Sequence, residues 1–234
     1  MSANMVYKFA TPYDPKATVL YVNIVPRYFC TNSCRFCSRK DAIQGRPNIY
    51  EKKAGTNLWL PKAPMFEDVV RELEVRRTVE TTEIAFVGLG EPLLQFELVR
   101  NIITRIGTDG FHGKVRIDTN GLVKCWRKND PAQELQKAGL DEIRISVNAV
   151  GSDEYTSISR PKQRDAFEKL CEFVRDCIKN GIDTYLSFVV GFDDGEVKTR
   201  TAEEYQKFAR ILGVQEKNVI IRQYVPPLEQ NLRS

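Results

Sequence analysis

Three cysteines set close together after an apolar run, Cys30, Cys34 and Cys37, are the residues of this sequence best able to do chemistry. Thiolates spaced Cys-x3-Cys-x2-Cys can hold three irons of a cubic cluster and leave the fourth iron open to a small molecule. A structural zinc ion is instead closed by four Cys or His ligands. The next cysteine here is Cys125 and the single histidine is His112, so no fourth ligand lies nearby in sequence. Phe36, directly before the third cysteine, adds an aromatic ring beside the open position. That arrangement suits a cluster that binds and cleaves a cofactor rather than one that only carries electrons.

Other ligand-capable groups follow short apolar runs. Gly88-Leu-Gly-Glu-Pro92 offers two places, Gly88 and Gly90, where backbone can approach a ligand, and a carboxylate, Glu91, that can accept from an ammonium group. Standing alone, the same pattern is an ordinary strand-to-helix turn. Asp118-Thr-Asn-Gly121 and Ser146-Val-Asn148 place Asp118, Asn120, Ser146 and Asn148 at two more run ends, where Asn and Ser also serve plain turns. Arg222 and Tyr224 share parity and therefore one strand face. Arg222 either meets an anionic ligand or forms a structural ion pair with a rim acid such as Asp118.

The elements that must position these groups alternate along the chain. Short runs, mostly rich in Val, Ile or Phe, predict strands over 19–24, 83–88, 114–119, 142–147, 184–190 and 218–224. Between them, Phe66, Val69, Val70 and Leu73 repeat with helical spacing, as do Val99, Ile102, Ile103 and Ile106, and Tyr205, Phe208, Ala209 and Leu212. Asp130 before Pro131, Gly139 after Ala138, and Thr201 three residues ahead of Glu204 mark helix ends. Six parallel strands joined by right-handed helical crossovers form either an open doubly wound sheet or an incomplete (β/α) barrel. Both build their sites at the C-terminal ends of strands, where nearly every motif above falls.

The chain of 234 residues, 42% hydrophobic, is long enough for one sizeable core, and no linker-like tract divides it, so a single domain over 1–234 is expected. Lys plus Arg number 35 against 31 Asp plus Glu, a surplus too small and scattered to require nucleic acid. No apolar run is long enough to span a membrane, no signal peptide is legible, and the cysteine usage fits a reducing, cytoplasmic compartment. Cys171 and Cys177 fall in an apolar stripe with Phe167, Leu170, Val174 and Ile178 and read as core thiols. His112 sits in a turn away from the cysteines. Arg160, Lys162 and Arg164 are either rim anion binders or a solvated charge run. The stretch from Ser38 to Pro64, with Arg39, Lys40, Arg46 and Trp59, is long for a loop and is a candidate lid.

Cys30, Cys34 and Cys37 with Phe36, followed one strand later by Gly88 to Pro92, resemble the radical S-adenosylmethionine (SAM) superfamily over nearly the whole chain. Asn32, Asn57-Leu-Trp-Leu60, Arg116-Ile-Asp-Thr-Asn-Gly121, Ser146-Val-Asn-Ala149, Arg160-Pro161 and Ile221-Arg222 in that order are similar to its TatD-associated family. The resemblance implies a partial (β/α)6 barrel of the TIM type, a [4Fe-4S] cluster on the three cysteines, and SAM chelated at its open iron. It further implies that Glu91 and the Gly88 to Gly90 backbone hold the methionine ammonium, and that Asp118, Asn120, Ser146 and Asn148 touch the methionine and ribose ends. The backbone near Phe36 and Val190 would flank adenine, and Arg222 would reach the carboxylate. The implied reaction is reductive cleavage of SAM to methionine and a 5′-deoxyadenosyl radical, fed by an external one-electron donor such as flavodoxin or ferredoxin, with a TatD-type hydrolase as a functional associate. In this resemblance Leu89 stands where many members carry a second glycine. Competing expectations are a glycyl-radical activase, a ring-forming member of the superfamily, or, from another class, a zinc-stabilised module that binds nucleic acid.

Overall fold

The computed structural model describes residues 5–11, 14–46, 48–192 and 197–226. Its frame is one seven-stranded sheet whose strands lie in chain order: β1 (Val6–Tyr7), β2 (Val19–Val22), β3 (Glu83–Phe86), β4 (Lys114–Thr119), β5 (Glu142–Ser146), β6 (Asp183–Val190) and β7 (Val219–Gln223). Strands β2 to β7 pair in parallel, as the six apolar runs predict, whereas β1 pairs antiparallel with β2, Val6 opposite Val22. The sheet is a partial TIM-like barrel with β1 and β7 as its edges.

Alternation along the longer strands separates an apolar outer face from a polar inner one. Leu20, Val22, Ile84, Phe86, Ile117, Ile143, Ile145, Leu186 and Phe188 are buried in the core between sheet and helices. Their neighbours of opposite parity, among them Arg116, Asp118, Arg144, Ser146 and Ser187, supply the polar side of the same strands.

Helices α3 (Phe66–Arg76), α4 (Phe96–Thr108), α5 (Pro131–Ala138), α7 (Ala166–Lys179) and α8 (Ala202–Ile211) cover the outer face. Each of the three predicted stripes contributes to the core, including Val69, Val70 and Leu73 on α3 and Val99, Ile102 and Ile103 on α4. The capping box of α8 forms as read, Thr201 and Glu204 each accepting from the other's backbone N–H. Asp130 caps α5 through the Gln133 N–H, and Gly139 closes that helix. Cys171 and Cys177 are buried on α7, and His112 is exposed.

Three features differ from the expectation. Strand β1, two residues long, is too short to show a period. The 38–64 stretch is no bare loop: it folds as α1 (Arg39–Ile43) and α2 (Ile49–Ala54). A further helix, α6 (Ser152–Ser159), follows β5 and carries only Tyr155, Ile158 and Ser159 inward.

Candidate active site

The cysteine loop follows β2 and is held from three sides. The Ser33 and Arg35 N–H groups donate to the Ser159 and Ile158 carbonyls at the end of α6, at 3.0 Å each, and Asn32 Nδ2 donates to the Tyr155 hydroxyl at 3.0 Å. The Arg39 guanidinium, on α1, donates to the Tyr28 and Asn32 carbonyls at 2.8 and 2.7 Å, and so clamps both flanks of Cys30. Sequence reading places Arg39 in a lid; its work is to fix the backbone that presents the thiols. Arg160 and Lys162 are exposed just beyond α6, where the Lys162 N–H donates to the Thr31 carbonyl.

The third support is the Gly88 to Pro92 turn. A Cβ on Gly88 would stand 2.7 Å from Asn23 Oδ1, and one on Gly90, at φ +147°, would overlap the Phe29 carbonyl oxygen, which also accepts from the Glu91 N–H at 2.8 Å. Both glycines therefore let this turn seat against β2 and the cysteine loop, a packing role beside the ligand approach read from sequence. Leu89 is buried with Tyr7, Tyr28 and Leu58.

Glu91 is buried and takes three donors: Leu93 N–H (2.9 Å) and Thr119 hydroxyl (2.7 Å) on Oε1, Asn120 N–H (2.7 Å) on Oε2. The carboxylate thus ties the turn to the end of β4 and keeps acceptor capacity on Oε2. Burial pushes its pKa up to about 7, against the pull of those three hydrogen bonds. Asn120 Nδ2 reaches Thr31 Oγ1 at 2.8 Å and Cys30 Sγ at 3.6 Å, joining the β4 end to the cysteine loop.

At the next strand ends, Asn148, at φ +62°, accepts from the Val189 N–H at 3.0 Å, and Ser146 and Ser187 hydroxyls pair at 3.3 Å. Arg222 stands 3.8 Å from Asp118, whose other oxygen pairs with Arg116. The ion-pair option for Arg222 is therefore realised, loosely, with the side chain still 43% exposed.

All these groups meet in one cavity of about 330 Å³. Cys30, Cys34, Cys37, Phe36, Gly88, Gly90, Glu91, Asp118, Asn120, Ser146, Asn148 and Arg222 line it. Val190 does not: Val189, of the opposite parity, takes that place, and Val190 packs with the core. Leu58, from the Asn57-Leu-Trp-Leu60 motif, also lines the cavity, as do Tyr7 from β1 and Tyr50 from α2, which the sequence does not single out. Tyr7 and Tyr50 lack motif neighbours; only the aromatic type would have marked them.

The donor set fits a cluster. The three thiols are free and share the cavity, and among the described residues lining it there is no fourth Cys or His, which a closed structural zinc site would need. Burial, aided by the Glu91 carboxylate, pushes the Cys30 thiol up to about 11, and burial with the other two thiols pushes Cys34 up to about 12. A cationic iron core would stabilise the thiolates that burial disfavours, the displaced protons passing to solvent. Two buried polar atoms on cavity residues, Asn32 Oδ1 and Arg39 Nε, have no hydrogen-bond partner.

A family model for the radical SAM superfamily matches residues 24–207. The chain belongs to that superfamily. That superfamily uses a [4Fe-4S] cluster with SAM. Among curated relatives, a probable GTP 3',8-cyclase of Saccharolobus solfataricus is 29% identical over 220 residues, covering 92% of this chain and 59% of that protein. The GTP 3',8-cyclase of Streptomyces coelicolor is 27% identical over 162 residues, covering 68% and 41%. The chain thus spans less than two thirds of the length of these relatives. Among solved structures, the hydrogenase maturase HydG of Carboxydothermus hydrogenoformans superposes with TM-score 0.61 at 16% identity, over 91% of this chain and 46% of that one. Native anSMEcpe with bound AdoMet gives 0.59 at 14%, over 86% and 50%. At these identities the likeness is one of fold.

Proposed function

We propose that this chain, acting as one domain, binds SAM across the cavity and cleaves it reductively to methionine and a 5′-deoxyadenosyl radical that abstracts hydrogen from a substrate. The observation that carries this reading is the meeting, in one cavity, of an incomplete thiol set with the polar ends of successive strands. When bound, cluster and SAM supply the one-electron chemistry, and the protein's part is to hold, orient and shield.

Cys30, Cys34 and Cys37 would hold the cluster on a loop kept rigid by Arg39 and the end of α6. Glu91 Oε2 and the Gly88 to Gly90 backbone would take the methionine ammonium, and Arg222, released from its long contact with Asp118, the carboxylate. Asp118, Asn120, Ser146 and Asn148 offer donors and acceptors to the methionine and ribose ends. Phe36 and the end of β6, through Val189, would flank adenine.

GTP is the first substrate to test, on the strength of the relatives' names. Peptide substrates test the activase reading. The order of motifs resembling the TatD-associated family supports a TatD-type hydrolase as functional associate, in the cytoplasm, with flavodoxin or ferredoxin as electron source.

Anaerobic reconstitution followed by chemical reduction tests the reading. About four irons and four sulfides per chain are expected. So is 5′-deoxyadenosine from SAM, with none from Cys34→Ala. A single zinc ion per chain and untouched SAM would overturn it.

A further inference from the structure

We propose that the face built by residues 27–46 and 48–62, around the cysteine loop, is the docking surface for an acidic one-electron carrier protein. This rests on the cluster reading above and adds the place where the electron enters.

Charge is concentrated there. Residues 27–62 hold eight Lys and Arg against two Asp and Glu, a surplus of six, although the whole chain has a surplus of only four. The rest of the chain is therefore net acidic. Both carboxylates in the segment turn inward: Asp41 is buried against Arg46 at 2.6 Å, and Glu51 accepts from the Tyr28 hydroxyl at 2.5 Å and the Leu58 N–H at 2.9 Å. Arg27, Lys52, Lys53 and Lys62 are exposed.

Local contacts gather the cations around the cysteine loop. Glu51 anchors α2, and with it Lys52 and Lys53, onto Tyr28. Arg27 Nε donates to the Pro61 carbonyl at 2.9 Å, which sets Lys62 beside Arg27. Trp59 lies edge-on to Tyr28, with ring centroids 5.1 Å apart, and is 40% exposed. Phe29, bonded directly to Cys30, is 52% exposed. A cationic field around exposed rings, one residue from a ligating sulfur, matches what a transient redox encounter needs: a small interface and electrostatic steering. Nucleic acid would meet the same charges, but nothing in that reading accounts for their placement around the cysteine loop.

The step is a bare electron transfer. The carrier, a reduced flavin or iron–sulfur protein, is oxidised by one electron and the cluster is reduced by one. No bond forms or breaks, and no proton is needed.

The test uses the reconstituted holoprotein, flavodoxin as probe, and the variant K52E/K53E/K62E, whose residues lie outside the cavity. Oxidised flavodoxin should bind the parent with a Kd that weakens about 10-fold or more between about 20 and 200 mM salt, and bind the variant at least about 10-fold more weakly at the lower salt. Carbodiimide should cross-link its carboxylates to Lys52, Lys53 or Lys62. Flavodoxin-driven 5′-deoxyadenosine formation should fall about 10-fold or more in the variant, while dithionite-driven formation stays at the parental rate. Unchanged flavodoxin binding, cross-links elsewhere, or equal slowing with both reductants would overturn the proposal. So would charge reversal that releases an RNA oligomer but not flavodoxin. If dithionite yields no product from the parent, the cluster reading fails instead, and binding and cross-linking still decide the docking face.

Discussion

The two ends of the barrel interior are built from the same strands yet solve opposite problems. At the N-terminal end, Arg116 is buried and pairs with Glu83 and Asp118, and stands 3.8 Å from Glu142. Glu142 in turn takes Lys114 and Arg144 at 2.6 Å each. Charge there is matched within the protein, and the surrounding carboxylates hold the Arg116 guanidinium firmly protonated against burial. At the C-terminal end Glu91 takes three hydrogen bonds and, among the described residues, no Lys or Arg partner, and Arg222 has only a long contact. A floor that neutralises itself carries stability; a mouth that leaves acceptors without counter-ions is prepared to bind. Asp118 belongs to both, with one oxygen on each side.

The contrast is broken most completely in the mouth. Cys34→Ala should lose cluster iron and take 5′-deoxyadenosine formation below about a thousandth of the parental rate, a loss of over ~4 kcal/mol of transition-state stabilisation. Because Cys34 pairs with nothing in the floor, the urea midpoint of the cluster-free chain should barely move. Arg116→Ala should do the reverse. Removing one partner of a buried network leaves Glu83 without its cation and Asp118 with only the long contact to Arg222, at a cost of about 3–5 kcal/mol. Urea unfolding of the cluster-free chain measures it, and a loss below about 1 kcal/mol would mean that the floor is not a stabilising network.

Glu91 gives the next effect, one of pH. A carboxyl whose folded pKa lies above its unfolded value binds more protons folded than unfolded, so stability falls as pH rises from the ordinary glutamate range to about 7, then levels. The full drop is on the order of 3 kcal/mol. Glu91→Gln in the cluster-free chain should flatten the stability profile between about pH 4.5 and 7, whatever constant cost the amide brings. A profile parallel to that of the parent would show that the three donors hold the carboxylate ionised throughout.

Sequence made the parallel strands and the cavity's main groups legible, because the apolar runs other than 184–190 end in groups with chemistry of their own. What it hid was mostly short. Strand β1 has two residues, and α1 and α2 are too brief for a helical period, although Asn48 caps α2 through the Tyr50 N–H. Missing these elements meant missing Tyr7, Tyr50 and the clamp made by Arg39. The resemblance singles out Val190 for its backbone; its side chain turns from the cavity because the odd positions of β6, Ser187 and Val189, face inward. The dual role of Gly88 and Gly90 was invisible because close backbone packing and close ligand approach call for the same residue.

Arg222 tests which region a residue on the boundary belongs to. At 3.8 Å from Asp118, and with more than a third of its side chain in solvent, the pair is screened and should contribute less than about 0.5 kcal/mol to stability. If Arg222 belongs to the mouth, Arg222→Ala should leave the urea midpoint within error while weakening SAM affinity about 5- to 10-fold, the worth of one charge-assisted contact. Lysine at this position should restore part of that affinity, since the charge returns without the fork. Equilibrium dialysis of SAM against the holoprotein separates the two assignments. A variant that loses about 2 kcal/mol of stability and binds SAM as the parent does would place Arg222 in the floor, as an outlying counter-ion of Asp118.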